Sequence, residues 1–260
     1  KIRKISKRLD PEARMTYYEE KGYPVYSLIE AIMTIANSNY EQWREGHPDA
    51  DFTEFEFSPK KMSSAGALFD LDKLDNVSKN YLSKLKASEV FDGLDEWSKI
   101  YDTDFNALIN KHKDYTISVL NIEREQKKPR KDFACFSEVK DNIWYMYNEL
   151  FDGAIFDFSF LKHEEDAKEI ISTYLNEYFD INDDKDTWFN KIKELTEKMG
   201  YCSNMKEYKE NPDNYRGSTA DISNVIRVAL TTKLTTPDLY EIINILGDAE
   251  VRSRFSKICG

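Results

Sequence analysis

Between Arg216 and Gly247 the chain gathers short hydrogen-bonding groups around two cations: Arg227, then Thr231, Thr232, Lys233, Thr235 and Thr236, followed by Pro237. Chemistry of this kind needs its donors and acceptors held still, and the flanking residues supply the means. Ile222, Val225, Ile226, Ala229 and Leu230 recur at helical spacing and make one apolar face. At about 100° per residue, Arg227 and Thr231 fall outside that face, one turn apart on the same side. Ser218 or Asp221 suits the cap of this helix. A second helix is expected to begin with Thr236 as its cap and Pro237 at its first position, where no backbone N–H is needed. Ile242, Ile243 and Leu246 would bury it, and Gly247 would end it in a left-handed conformation.

Two basic clusters offer a different chemistry. Lys1, Arg3, Lys4, Lys7 and Arg8 crowd the start of the chain, and Lys4–Ile5–Ser6–Lys7 could fold a loop around a polyphosphate. Arg124, Lys127, Lys128, Arg130 and Lys131 form the second cluster. A net charge of −11 over 260 residues argues against indiscriminate nucleic-acid binding, yet local basic spots on an acidic body can hold a polyanion. The plainer alternative is that both clusters are solvated loops. His47, His112 and His163 lie far apart without Cys or His at ligand spacing, so no metal site is expected. Cys135, Cys202 and Cys259 are odd in number and widely spaced, which fits reduced thiols in a cytosol.

The elements that must position these residues read as helices almost throughout. Leu28, Ile29, Ile32, Met33 and Ile35 predict a helix with a broad buried stripe, and Asp70 is a cap for the helix holding Leu74 and Val77. From Ser88 onward helical patterns follow one another with short breaks, and Pro129 is expected to interrupt one of them. Gly153 to Leu161 is aromatic and reads as a buried connection rather than a sheet. Trp188, Ile192, Leu195 and Met199 form another helical face, stopped by Gly200. No stretch alternates like a strand, none repeats with a fixed period, and no apolar run reaches the roughly 20 residues of a membrane helix. The expected fold is all-α: a multi-helix array of two to three subdomains, with boundaries 1–85, 86–162 and 163–260.

Several segments carry a resemblance. RKISKRLDPEA, from Arg3, closely resembles the KMSKS-type loop of glutamyl-tRNA synthetases. IRVALTTKLTTPDLYEIINILG, from Ile226, is similar to the C-terminal anticodon-loop-binding motif of the bacterial form. GYPVYSLIEAIM, KKMSSAGALFDLDKL and IEREQKKPRKDF stand between them in the family's order. Lys61–Met62–Ser63–Ser64 looks superficially like the KMSKS loop but lacks its second lysine and has its own place as a helix-entry segment. The tail has no barrel-like strand series, which matches the bacterial type rather than glutaminyl relatives. The resemblance spans essentially all 260 residues. The front carrying the HIGH-type signature, the glutamate pocket and the acceptor-end insertion is missing, so the chain is expected to be a fragment.

The resemblance implies a parent that activates glutamate with ATP and Mg and transfers it to the 3′ end of its tRNA. In that scheme Lys4, Ser6 and Lys7 shape the loop around ATP, with Lys7 on the developing pyrophosphate charge. The fragment alone would bind no cofactor stably and would not aminoacylate. Its implied partner is the tRNA for glutamate, held by its anticodon loop and stem. Motif position assigns base contacts to Arg227, Thr236, Pro237, Leu239 and Tyr240, with Thr235 as support and Arg130 as a looser correspondence. Leu239 and Tyr240 fit core packing equally well by spacing. The family default is a cytoplasmic monomer without a membrane segment. A helical scaffold for protein partners, without RNA binding of its own, is the alternative.

Overall fold

The computed structural model describes residues 11–62 and 70–259. The chain divides into two compact units, Lys1–Asn142 and Ile143–Gly260. Among the described residues there are fifteen α-helices and no strand, only an isolated parallel bridge between Cys202 and Ser218. The all-α expectation is met. Among the described residues no helix is long and apolar enough to cross a membrane, and the three cysteines are free thiols.

The first unit holds α1 (Met15–Lys21), α2 (Val25–Ala36), α3 (Tyr40–Gly46), α4 (Leu71–Lys84), α5 (Ala87–Tyr101), α6 (Thr103–Lys111) and α7 (Lys113–Asn121), and runs into α8 (Val139–Ile143). Asp70 caps α4 as expected, its carboxylate accepting from the Asp72 N–H at 3.0 Å. The α2 stripe comes out differently. Helix α2 buries Ser27, Glu30 and Ala31, while Ile32 stays 53% exposed. The reason is a polar pairing on the inward face: Glu30 accepts from Arg44 Nε of α3 at 3.2 Å, so the charge is satisfied where it is buried.

Helices α5, α6 and α7 pack through Val90, Phe91 and Leu94, Phe105 and Ile109, and Val119 and Leu120. Two glycines permit the closest approaches. Gly22 ends α1 at φ +74°, and an added Cβ there would meet the Trp97 ring at 2.7 Å. On α5, Gly93 leaves room for the Phe136 ring, which a Cβ would meet at 2.4 Å. After α7 the chain turns at Glu123, whose φ of 54° is left-handed, so the helix ends well before Pro129.

The second unit holds α9 (Asn148–Phe151), α10 (Asp166–Thr173), α11 (Lys185–Lys198), α12 (Met205–Glu210), α13 (Thr219–Thr231), α14 (Leu239–Leu246) and α15 (Asp248–Cys259). Its core takes Ile170 and Ile171 from α10, Ile192 and Leu195 from α11, Ile222, Val225, Ile226 and Ala229 from α13, Leu239 and Ile243 from α14, and Val251 and Phe255 from α15. Tyr174 is buried among them and accepts the Trp188 indole N–H at 2.9 Å. Gly200 stops α11 at φ +73° as expected, with its N–H on Glu197 O and the Tyr201 N–H on Thr196 O.

The aromatic stretch after Gly153 is neither helix nor strand, but it is not buried as expected. Ile155 is 86% exposed, while the alternate Phe156, Phe158 and Phe160 are half-buried and Leu161 closes the stretch inside the core. An extended chain sends successive side chains to opposite sides, so one edge of the segment packs and the other faces water.

Candidate nucleic-acid interface

The hairpin of α13 and α14 is built from its caps inward. Ser218 occupies the N-cap of α13 and Asp221 closes the capping box, its carboxylate accepting the Ser218 N–H at 2.7 Å. Both candidate residues therefore serve one cap. Just before it, Arg216 is paired with the buried Asp166, which also accepts from the Tyr201 hydroxyl at 2.9 Å. Burial and that carboxylate push the Tyr201 phenol up.

At the other end of α13, Thr232 takes a left-handed φ of 61° and turns the chain. Thr231 is fully buried rather than displayed beside Arg227. Its hydroxyl donates back to Arg227 O at 2.7 Å and accepts from the Lys233 N–H at 3.1 Å, so the turn itself uses it up. Beneath lies Arg254 of α15, wholly buried, donating to Leu230 O at 2.5 Å and to Tyr145 O at 2.7 Å. A cation at the carbonyl end of α13 complements the helix dipole. This buried arginine escaped the sequence reading, because an i, i+4 pair with Glu250 looks like an ordinary surface ion pair.

Arg227 is half-buried, and its Nη1 donates to Thr236 Oγ1 and, at 3.1 Å, to Pro237 O. Thr236 is 9% exposed and its hydroxyl also reaches Pro237 O at 2.8 Å. Thr236 and Pro237 stand ahead of α14 instead of capping and starting it. The cap is Asp238, whose carboxylate accepts the Glu241 N–H at 3.0 Å and Lys185 Nζ at 2.7 Å. The signal was present as Asp238 followed three residues on by Glu241, which outweighs the Thr–Pro pattern.

Leu239, 3% exposed, packs in the core. Tyr240 is half-buried, with its ring 5.8 Å from that of Trp188 and its hydroxyl donating to Asp183 O at 2.9 Å. Gly247 ends α14 with the positive φ expected, 78°, although its ψ of 163° lies outside the left-handed helical region. The tip of the hairpin that faces water is Leu234 and Thr235, with Lys233 lying over the Tyr145 ring at 5.6 Å.

In the second unit the structure thus joins Arg227 to Thr236 and Pro237, whereas Leu239 packs in the core and Tyr240 against Trp188. Arg130 belongs to the first unit, where it pairs with Asp132 at 2.7 Å and Glu123 at 3.6 Å. Lys4, Ser6 and Lys7 lie outside the described residues. Among the described residues no cluster of His, Cys, Asp and Glu is arranged to hold a metal ion.

Comparison with known proteins places this hairpin in context. A family described as an anticodon binding domain matches residues 217–259. A glutamate–tRNA ligase of Clostridium perfringens is 44% identical over 98% of this chain and 47% of its own length. That of Clostridium beijerinckii is 42% identical with the same coverage, and that of Sorangium cellulosum 36% identical over 98% of this chain. The chain spans about half the length of the curated relatives it matches. A crystal structure of a glutamate tRNA ligase from Elizabethkingia meningosepticum superposes with a TM-score of 0.65 at 15% identity, covering all of this chain and 49% of that one, a likeness of fold. Over nearly all of its length the chain is similar to about half of bacterial glutamate–tRNA ligases.

Proposed function

We propose that the chain is the tRNA-recognising part of a glutamate–tRNA ligase and that it reads the anticodon with the α13–α14 hairpin. The observation that supports this most is a coincidence of place: the anticodon binding match covers 217–259, the stretch in which Arg227 is braced against Thr236 and Pro237. Anticodon bases are unstacked, and guanidinium and hydroxyl groups can read their edges. Arg227, Thr236 and Pro237 supply the polar contacts in this reading, with Thr235 beside them at the exposed tip. Leu239 and Tyr240 act from below, fixing the first turn of α14 through the core. Arg130 is a further RNA contact, its guanidinium already oriented by Asp132 and Glu123.

In the same reading residues 1–85 brace the tRNA stem, and 86–162 and 163–260 form the anticodon-binding region of a cytoplasmic monomer. Activation of glutamate with ATP and Mg, with Lys4, Ser6 and Lys7 at the phosphates, belongs to a longer parent. The chain alone is expected to give no ATP–pyrophosphate exchange.

The test is binding of the 260-residue chain to a glutamate-acceptor tRNA transcript and to an anticodon-altered version, each at two salt concentrations. Preference for the native anticodon, with affinity falling steeply as salt rises, is the expected result. Equal binding to both transcripts, or binding indifferent to salt, would replace RNA reading with a scaffold role.

A further inference from the structure

In the first unit a groove of about 870 Å³ runs between the α4–α5 junction and the loop that follows α7. Six cations line it: Lys84, Lys86, Arg124, Lys127, Lys128 and Lys131. Asp49 and Glu125 are the only carboxylates among its lining residues. In a chain of net charge −11 this is a local excess of positive charge, and it is assembled from positions some forty residues apart in sequence.

The loop is held in shape by the groups around it. Arg124 is turned inward, its Nη1 donating to Leu82 O at 2.6 Å and Leu85 O at 3.2 Å, and its Nε to Leu120 O at 2.8 Å. One guanidinium thus joins the carbonyl ends of α4 and α7 under the floor of the groove, and burial pulls its pKa down. At the neck, the Arg130 N–H donates to Glu123 O at 3.3 Å and the two side chains pair. Glu123 carries the left-handed φ of 54° that a non-glycine residue keeps only when its surroundings enforce it. Gln126 braces the tip, its N–H on Arg124 O at 2.9 Å and its amide on Lys128 O at 3.0 Å.

The lysines have different duties. Lys84 is occupied, donating to Pro48 O at 2.6 Å and Asp49 Oδ1 at 2.8 Å. Lys86, Lys127, Lys128 and Lys131 are exposed, and none makes an ion pair among the described residues. A rigid loop facing a helix junction with uncompensated ammonium groups on both walls suits a chain of phosphates, since lysine acts as a point charge and reads no base.

We propose that this groove binds the phosphodiester backbone of RNA, as a second contact that adds affinity without discriminating between anticodons. The inference rests on the tRNA-binding reading. Pre-organisation of the loop means that little ordering cost is left for the moment of binding.

The experiment measures the salt dependence of tRNA binding for the 260-residue chain, for the triple variant Lys86→Gln, Lys127→Gln, Lys128→Gln, and for a charge-matched control, Lys193→Gln, Lys206→Gln, Lys209→Gln. Each lost phosphate contact should flatten the slope of log affinity against log salt by roughly 0.7–0.9, so the groove variant should lose about two units of slope. Its preference for the native anticodon should be unchanged, and the control should keep the wild-type slope. A groove variant with the wild-type slope, or a control that loses as much, overturns the groove while leaving the tRNA reading standing. A wild-type chain that binds neither transcript overturns both.

Discussion

Pro237 O accepts a hydrogen bond from Arg227 Nη1 at 3.1 Å, so the side chain proposed to read RNA also ties the turn that carries it. Position and contact are then coupled. A guanidinium fixed at one nitrogen by Thr236 and Pro237 has lost most of its rotamer freedom before a base arrives. Lysine has the charge but not the planar fork, so Arg227→Lys should keep general RNA affinity and lose most anticodon preference. Competition binding between native and altered transcripts reads this directly. A lysine variant with the full wild-type preference would show that charge alone suffices.

Arg254 should be the most costly single truncation in the second unit. Its removal takes the Arg254 donor from Leu230 O and Tyr145 O and the ion-pair partner from Glu250, at a side chain that is wholly buried. Arg254→Ala is expected to cost about 3 kcal/mol of unfolding free energy. The loss should appear in urea unfolding followed by the tryptophan signal. Because Leu230 lies in the last turn of α13, weakened anticodon preference should accompany it even where the variant stays folded.

Gly93 sets two effects against each other. Alanine is the better helix former by about 1 kcal/mol, yet its Cβ would stand 2.4 Å from the Phe136 ring. An aromatic ring packed between helices cannot yield as a flexible side chain can, and overpacking costs about 1–3 kcal/mol. Gly93→Ala should therefore lower the melting temperature. Gly93→Ala combined with Phe136→Leu should recover part of the loss, and calorimetry on the pair checks both.

Acid should weaken the α5–α6 contact in a defined window. Asp95 accepts from Lys99, from Asn110 Nδ2 at 2.6 Å and from Asn106 Nδ2 at 2.8 Å. These partners, Lys99 foremost, hold its carboxyl down at about 2, below the ordinary 3.8. A depressed folded pKa means the stabilisation is complete above the ordinary value and disappears as pH falls through about 2. The melting-temperature gap between wild type and Asp95→Asn should thus be constant at pH 5 to 7 and close between pH 4 and 2. A gap that persists at pH 2 would contradict the assignment.

Much of this was legible in the sequence, and the exceptions have physical causes. Helical spacing and caps were readable where one signal stood alone, as at Asp70 and Gly200. They failed where two signals competed, as when Asp238 with Glu241 displaced Thr236 and Pro237 at the start of α14. Periodicity predicted a buried stripe on α2, but the pairing of Glu30 with Arg44 depends on a neighbouring helix that a single-helix pattern cannot represent. Thr231 was misplaced for a related reason: its hydroxyl is satisfied by its own helix and its own turn, so a polar residue could be buried. The basic groove needed the fold, since Lys86 and Lys127 are distant in sequence and face one cavity only once Arg124 has joined α4 to α7.

Whether the α13–α14 hairpin reads the anticodon through Arg227 is decided by one ratio: the affinity for a native glutamate-acceptor transcript over that for an anticodon-altered one, in wild type and in Arg227→Ala. The wild-type preference should fall by roughly 1–3 kcal/mol in the variant while affinity for the altered transcript barely changes. The same ratio in both proteins, or a loss of affinity equal for the two transcripts, would contradict it.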